Sequence, residues 1–77
     1  MTSPSDIAAA VKAARRALNL RQAELAAAAG VGVRFLIELE AGKPTVQLGK
    51  VLTVLEALGL DLRVEPRAPI TPQRSEP

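Results

Sequence analysis

Two glycines separated by one residue, Gly30 and Gly32, raise the question of a phosphate-binding loop. A dinucleotide-binding fingerprint requires a third glycine where this chain has Phe35, and a strand where the preceding alanine-rich segment predicts a helix. A P-loop requires Ser or Thr directly after Gly-Lys, but the two Gly-Lys pairs are followed by Pro44 and Val51. The segment is therefore interpreted as a tight turn between two helices, with Gly30 in the left-handed conformation.

The acidic residues Glu38 and Glu40 do not form an acid–base pair, because side chains two residues apart on a helix point to different faces. The chain contains no Cys and no His, which excludes thiolate nucleophiles, zinc clusters and imidazole bases. No Ser–Lys or Asp-dyad arrangement is present in the sequence either. We therefore expect a protein that is not an enzyme and that uses no cofactor and no metal.

The length of 77 residues allows one small domain. Such a chain buries only about 60% of its unfolded surface, so dimerisation is a common source of added stability. The formal net charge is +2 and the isoelectric point is about 9.7. Four basic residues lie in the first third of the chain: Lys12, Arg15, Arg16 and Arg21. This clustering indicates an anionic partner such as nucleic acid.

No apolar run approaches the roughly 18 residues that span a bilayer, and the N-terminus lacks the pattern of a secretory signal. With no cysteine present, we expect a cytoplasmic protein without a membrane partner. One Phe with no Tyr or Trp argues against recognition of single strands by aromatic stacking.

The periodicity of apolar residues predicts four helices. The first covers residues 3–19, with Ser5 as its N-cap and an apolar face formed by Ile7, Val11, Ala14 and Leu18. The second covers residues 21–29 and stops at Gly30. The third covers residues 33–41, has Leu36 and Leu39 facing inward, and ends at Gly42.

The fourth helix is predicted to start at Thr45 as its cap and to close at Gly59. Its expected apolar face is Leu48, Val51, Leu52, Leu55 and Leu58. Residues 60–65 then alternate between apolar and charged side chains, which predicts a half-buried strand. Because a lone strand leaves its backbone unpaired, its expected partner is the same strand of a second chain, through Leu60, Leu62 and Val64. Residues 66–77 are rich in proline and are predicted to form a disordered tail.

Seven residues within the 18 that begin at Gln22 fit a single pattern: Leu25, Ala26, Ala29, Gly30, Val31, Leu36 and Leu39. Ala26 is small where two helices must cross closely, and the apolar residues set the angle of the second helix. In this pattern the chain resembles the helix-turn-helix of the Cro/phage-repressor (XRE) family. Over residues 5–65, and because of its terminal strand, it resembles the small XRE antitoxins of the HipB type.

The resemblance implies a mainly α, lambda-repressor-like helix-turn-helix domain at residues 5–65. It would have four main helices, and its C-terminal strand would pair across a homodimer. The residues it implies for binding a palindromic operator in double-stranded DNA are Arg21, Gln22, Gly32, Val33, Arg34, Glu38, Lys43, Thr45 and Gln47. Arg34 is expected to bind guanine and Val33 a thymine methyl group, whereas Glu38 is expected either to accept from the amino group of cytosine or to repel the backbone of unmatched DNA.

The resemblance also assigns Arg15 and Glu40 to an internal ion pair between the first and third helices. Phe35 is interpreted as a core residue, whereas Ile37 fits either a partner surface or a contact with a thymine methyl group.

The function implied is that of a transcriptional repressor, the antitoxin of a toxin–antitoxin pair. It would bind its own operator as a dimer and sequester a HipA-type kinase toxin. Two alternatives stay open: a stand-alone XRE-type regulator, and a protein-interaction module that uses the fold as a scaffold.

Overall fold

The computed structural model describes residues 2–66 and contains four helices. These are α1 (Pro4–Ala17), α2 (Gln22–Ala29), α3 (Val33–Glu40) and α4 (Leu48–Ala57). Helix α2 packs against α3 and α4, and α1 packs against α3. The prediction of a mainly α fold with four helices is confirmed. Within residues 2–66, no helix is long and apolar enough to cross a membrane.

The N-cap of α1 is Ser3, so the prediction of Ser5 is wrong. The Ser3 hydroxyl accepts from the backbone N–H of Asp6 at 3.2 Å, and the Asp6 carboxylate accepts from the Ser3 N–H at 2.9 Å. This reciprocal capping box satisfies two backbone donors at the start of the helix. Pro4 occupies the first helical position, where a missing N–H costs nothing, and this allows the helix to begin before Ser5.

Helix α4 begins later than the sequence predicts, and Thr45 is not its cap. Thr45 lies in a turn with Pro44, and the residue before the helix is Gln47, whose side chain makes no capping hydrogen bond. The intervening Val46 packs against the hydrophobic core. Because Val46 packs there with a non-helical backbone, the helix starts only at Leu48.

All four helices end in the same way, with one residue at positive φ: Asn19, Gly30, Gly42 and Gly59. In each case the backbone N–H of the next residue donates to the carbonyl of the residue five positions earlier, at 2.9–3.1 Å. This is the Schellman motif, and it satisfies carbonyl groups that a helix end leaves free. The predicted left-handed turn at Gly30 is confirmed, with a φ of 72°. Asn19 does the same for α1 without being glycine, at a φ of 57°.

The core centres on four fully buried side chains: Val11, Leu25, Leu36 and Val54. Others that the sequence placed in the core are also buried: Leu39, Val51, Leu55 and Leu58. Three predicted core residues, Leu18, Leu48 and Leu52, are instead exposed. The buried residues of α4 follow the spacing 51, 54, 55 and 58, so positions 48 and 52 lie beside that stripe rather than on it.

Residues 60–66 leave α4 without forming a helix or a strand in the single chain, so the predicted strand is not found within the described residues. Leu60 is half-buried and packs against the core, whereas Leu62 and Val64 are exposed, Val64 at 93%. A strand needs hydrogen-bonding partners for its backbone, and the prediction placed those partners in a second chain. Apart from Pro66, the predicted tail lies outside the described residues.

Candidate nucleic-acid interface

Helices α2 and α3 are joined by a tight turn that fixes their relative orientation. Gly30 reverses the chain after α2, and Val31 packs against the core directly behind it. Leu25 of α2 and Leu36 of α3 are both fully buried in the shared core. Helix α3 is therefore anchored along one side, and its other side is available for contacts with a ligand.

The free side of α3 carries two parallel stripes. Arg34 and Glu38 are four residues apart and share one face, and the exposed Val33 and Ile37 form an adjacent apolar stripe. An α-helix with its side chains is about 10–12 Å across, so a helix such as α3 fits the DNA major groove, which is about 12 Å wide. The face offers a forked donor, an acceptor and apolar groups, which are the three kinds of contact that base edges accept.

The opposite side of α3 ends in a buried ionic network. The Glu40 carboxylate receives two hydrogen bonds from the Arg15 guanidinium, at 2.7 and 2.9 Å, and their side chains are 2% and 11% exposed respectively. Arg15 also donates to the Leu20 carbonyl at 2.9 Å. The structure thus brings together the two residues that the resemblance assigned to an internal ion pair.

Burial by itself would raise the pKa of Glu40. The hydrogen bonds from Arg15 and Gln22, together with the charges of Arg15 and Lys12, outweigh that effect and hold the pKa below its ordinary value. For Arg15, the hydrogen bond to Glu40 outweighs burial and raises the pKa further above its ordinary value. Both groups are therefore charged at neutral pH.

Gln22 has a structural role that the sequence did not reveal. Its side-chain Nε2 donates to the Glu40 carboxylate at 3.1 Å, so Gln22 links the first turn of α2 to the end of α3. Sequence reasoning placed Gln22 only at a DNA contact. An acceptor 18 residues away in the sequence gives no local signal, and the contact became visible only once both helices were positioned.

Lys43 and Glu38, both assigned to DNA by the resemblance, form an ion pair with each other. The Lys43 ammonium lies 3.4 Å from the Glu38 carboxylate, and the two side chains are 46% and 34% exposed. This pair is partly exposed, unlike the buried pair at Glu40. In the free protein, two residues of the candidate interface therefore neutralise each other.

The remaining candidates lie around α3. Arg21 is exposed and precedes α2, where its backbone N–H donates to Glu24 at 2.7 Å. Gly32 precedes α3, and Thr45 and Gln47 are exposed between α3 and α4. In the sequence, these four residues therefore lie directly before a helix or in the connection that follows α3.

Phe35 is half-buried and packs against the core, as the sequence indicated. The Lys50 ammonium lies 5.7 Å from the centre of its ring, within the range of a cation–π interaction. The contact ties α4 to α3 on the side that faces away from the Arg15–Glu40 pair.

The fold and the free face of α3 define a helix-turn-helix protein. Residues 11–64 match the helix-turn-helix family HTH_3. The chain is also 56% identical over 62 residues to the uncharacterized HTH-type transcriptional regulator y4mF of Sinorhizobium fredii, covering 80% of this chain and 82% of that protein. The chain belongs to the XRE-type helix-turn-helix family, whose members are DNA-binding transcription regulators.

Proposed function

We propose that the protein represses transcription by binding an operator in double-stranded DNA as a homodimer, with α3 of each subunit in the major groove. The observation that carries the proposal is the division of α3 into two sides. Leu36, Leu39 and Glu40 anchor it to the domain, and the exposed side presents Arg34 and Glu38. A helix that is held on one side and presents both charged and apolar groups on the other suits readout of base edges.

Within this proposal, Arg34 donates two hydrogen bonds to guanine O6 and N7, and Val33 contacts a thymine methyl group. Glu38 accepts from the amino group of cytosine. The residues proposed to position the backbone of the DNA are Arg21, Gln22, Gly32, Lys43, Thr45 and Gln47, through charge, side-chain donors or amides at helix starts. Because Gln22 already donates to Glu40, only its second amide hydrogen is free for a phosphate.

The proposed dimer uses the segment after α4. Leu62 and Val64 are exposed on a segment whose backbone is in neither a helix nor a strand, which supports pairing with the same segment of a second chain. Leu60 would contribute less to the partner surface than the sequence suggested, since it packs against the core of its own chain. Two copies of α3 would then enter successive major grooves about 34 Å apart on a palindrome.

A second candidate function is that of an antitoxin which also sequesters a HipA-type kinase toxin. Its support is the resemblance of residues 5–65 to HipB-type antitoxins. The stand-alone regulator accounts for the α3 face equally well. Co-expression with a kinase-like gene adjoining this one distinguishes them: an antitoxin restores growth and co-purifies with the kinase, and a stand-alone regulator does neither.

The DNA-binding proposal is tested by fluorescence anisotropy with duplex DNA from upstream of the gene and a scrambled duplex of equal composition, at two salt concentrations. We expect wild-type protein to prefer the upstream duplex and to bind both less tightly at higher salt. Arg34→Ala should cost about 1–3 kcal/mol on the upstream duplex and little on the scrambled one.

Arg21→Ala is the matched control, because it also removes one exposed arginine but at a position proposed to bind phosphate. It should weaken binding to both duplexes alike and reduce the slope of log K against log salt by about 0.9 per subunit. Equal losses on both duplexes for Arg34→Ala would show that Arg34 does not read bases. No preference of the wild-type protein for the upstream duplex would overturn the operator proposal.

A further inference from the structure

The four helix ends share one motif but differ in the side chains that the motif brings together. In a Schellman motif, the residue four positions before the positive-φ residue and the residue directly after it come into contact, usually through apolar groups. At the end of α2 these residues are Ala26 and Val31, and at the end of α4 they are Leu55 and Leu60. Both pairs pack in or against the core.

At the end of α3 the equivalent residues are Glu38 and Lys43. The Lys43 backbone N–H donates to the Glu38 carbonyl at 3.1 Å, and the side chains form the partly exposed ion pair at 3.4 Å. The turn at Gly42 therefore holds the lysine next to this particular carboxylate. The pair at the end of α3 is charged, whereas the pairs at the ends of α2 and α4 are apolar. Glu38 also lies on the side of α3 that carries Arg34.

We propose that Glu38 makes the phosphate contact of Lys43 conditional on the base that Glu38 meets in the major groove. The inference rests on the proposed function. An ammonium group shared between a carboxylate and a DNA phosphate interacts fully with only one of them. A carboxylate that enters the groove without a donor is also repelled by the surrounding phosphates.

Opposite a base without a suitable donor, Glu38 retains Lys43, and the phosphate contact is weak. Opposite cytosine, the N4 amino group donates to the carboxylate and replaces the ammonium as its partner. Lys43 is then free to bind the phosphate. Glu38 thus lowers affinity for unmatched DNA more than for the operator, and it acts on specificity through Lys43 as well as through its own base contact.

The test uses Glu38→Gln, Lys43→Gln and the double variant in the full chain, with the upstream and scrambled duplexes over a salt series. Glutamine keeps the shape of glutamate and an acceptor oxygen but cannot hold the ammonium by charge. The control is Glu56→Gln, which removes the same charge from an exposed position in the last turn of α4. Thermal unfolding and sedimentation of each variant verify that fold and dimer are unchanged.

For Glu38→Gln, we expect about three- to tenfold tighter binding to the scrambled duplex at low salt, with a salt slope steeper by about 0.9 per subunit as Lys43 gains a phosphate. The preference for the upstream duplex should fall by a similar factor. Lys43→Gln should weaken the wild-type protein mainly on the upstream duplex. In the Glu38→Gln background it should weaken binding to both duplexes alike.

Equal effects of Glu38→Gln and Glu56→Gln on the scrambled duplex would overturn the inference, since the change would then reflect net charge alone. An additive double variant would overturn it as well. If the wild-type protein does not prefer the upstream duplex, the operator proposal fails by itself. Whether Glu38 holds Lys43 away from phosphate is still measured by the change in salt slope of Glu38→Gln on the scrambled duplex. Binding to neither duplex defeats both.

Discussion

Helix α3 carries two ion pairs of the same type in opposite environments. Glu40 is buried and accepts three hydrogen bonds from Arg15 and Gln22. Glu38, two residues earlier, is partly exposed and forms a single longer contact with Lys43. Both carboxylates carry the same charge, so burial is what separates the one held by three hydrogen bonds from the one with a single partner.

The largest expected effect comes from removing the buried cation. Arg15→Ala leaves the Glu40 carboxylate buried without its main partner, and it should lower the free energy of unfolding by about 3 kcal/mol. Urea titration at fixed protein concentration measures this. The neighbouring exposed Arg16→Ala is the control, expected within about 0.5 kcal/mol of wild type. A loss for Arg15→Ala no larger than that for Arg16→Ala would remove the distinction between the two pairs.

The second effect is a dependence of stability on acid. The folded protein holds the pKa of Glu40 below its ordinary value of 4.5, so the ionised carboxylate stabilises the fold above that value. This contribution is lost as the pH falls through the lowered pKa. We expect the urea concentration at the midpoint of unfolding to decrease when the pH is lowered from 7 to about 3, and to decrease less in Glu40→Gln. The same acid dependence in both proteins would contradict the assignment to Glu40.

The smallest effect should come from the exposed pair. Lys43→Gln should change the free energy of unfolding by less than about 0.5 kcal/mol, because exposed ion pairs gain little over their separate hydration. The same urea titration measures it. A loss above about 1 kcal/mol would mean that Lys43 supports the fold, and its role in binding would then need a stability-matched comparison.

Much of the scaffold could be predicted from the sequence because its signals are local. Gly30 must take a positive φ, and the spacing of Leu25, Leu36 and Leu39 defines how two helices meet. The choice of Ser5 as the cap of α1 is wrong, although the presence of the helix is not. The capping box with Asp6 and the placement of Pro4 selected Ser3.

The errors concern features that depend on the assembled domain. Periodicity marks an apolar stripe but not its edges, so Leu48 and Leu52 were placed in the core although both are exposed. The partner of Gln22 lies 18 residues away, and the ion pair of Lys43 depends on the turn at Gly42. The predicted strand is not found in residues 60–66 of the single chain, because the backbone partners that it needs are expected in a second chain.

Gly32, the residue before α3, has an ordinary φ of −71°, and a β-carbon added there would meet no atom within 4 Å. Its backbone therefore does not require glycine, unlike that of Gly30. A serine or threonine at this position would gain a helix cap and a hydroxyl group beside Val33 without disturbing the core. The position where α3 begins is thus open to variation, so the set of operators recognised could diverge between related regulators while the domain stays unchanged.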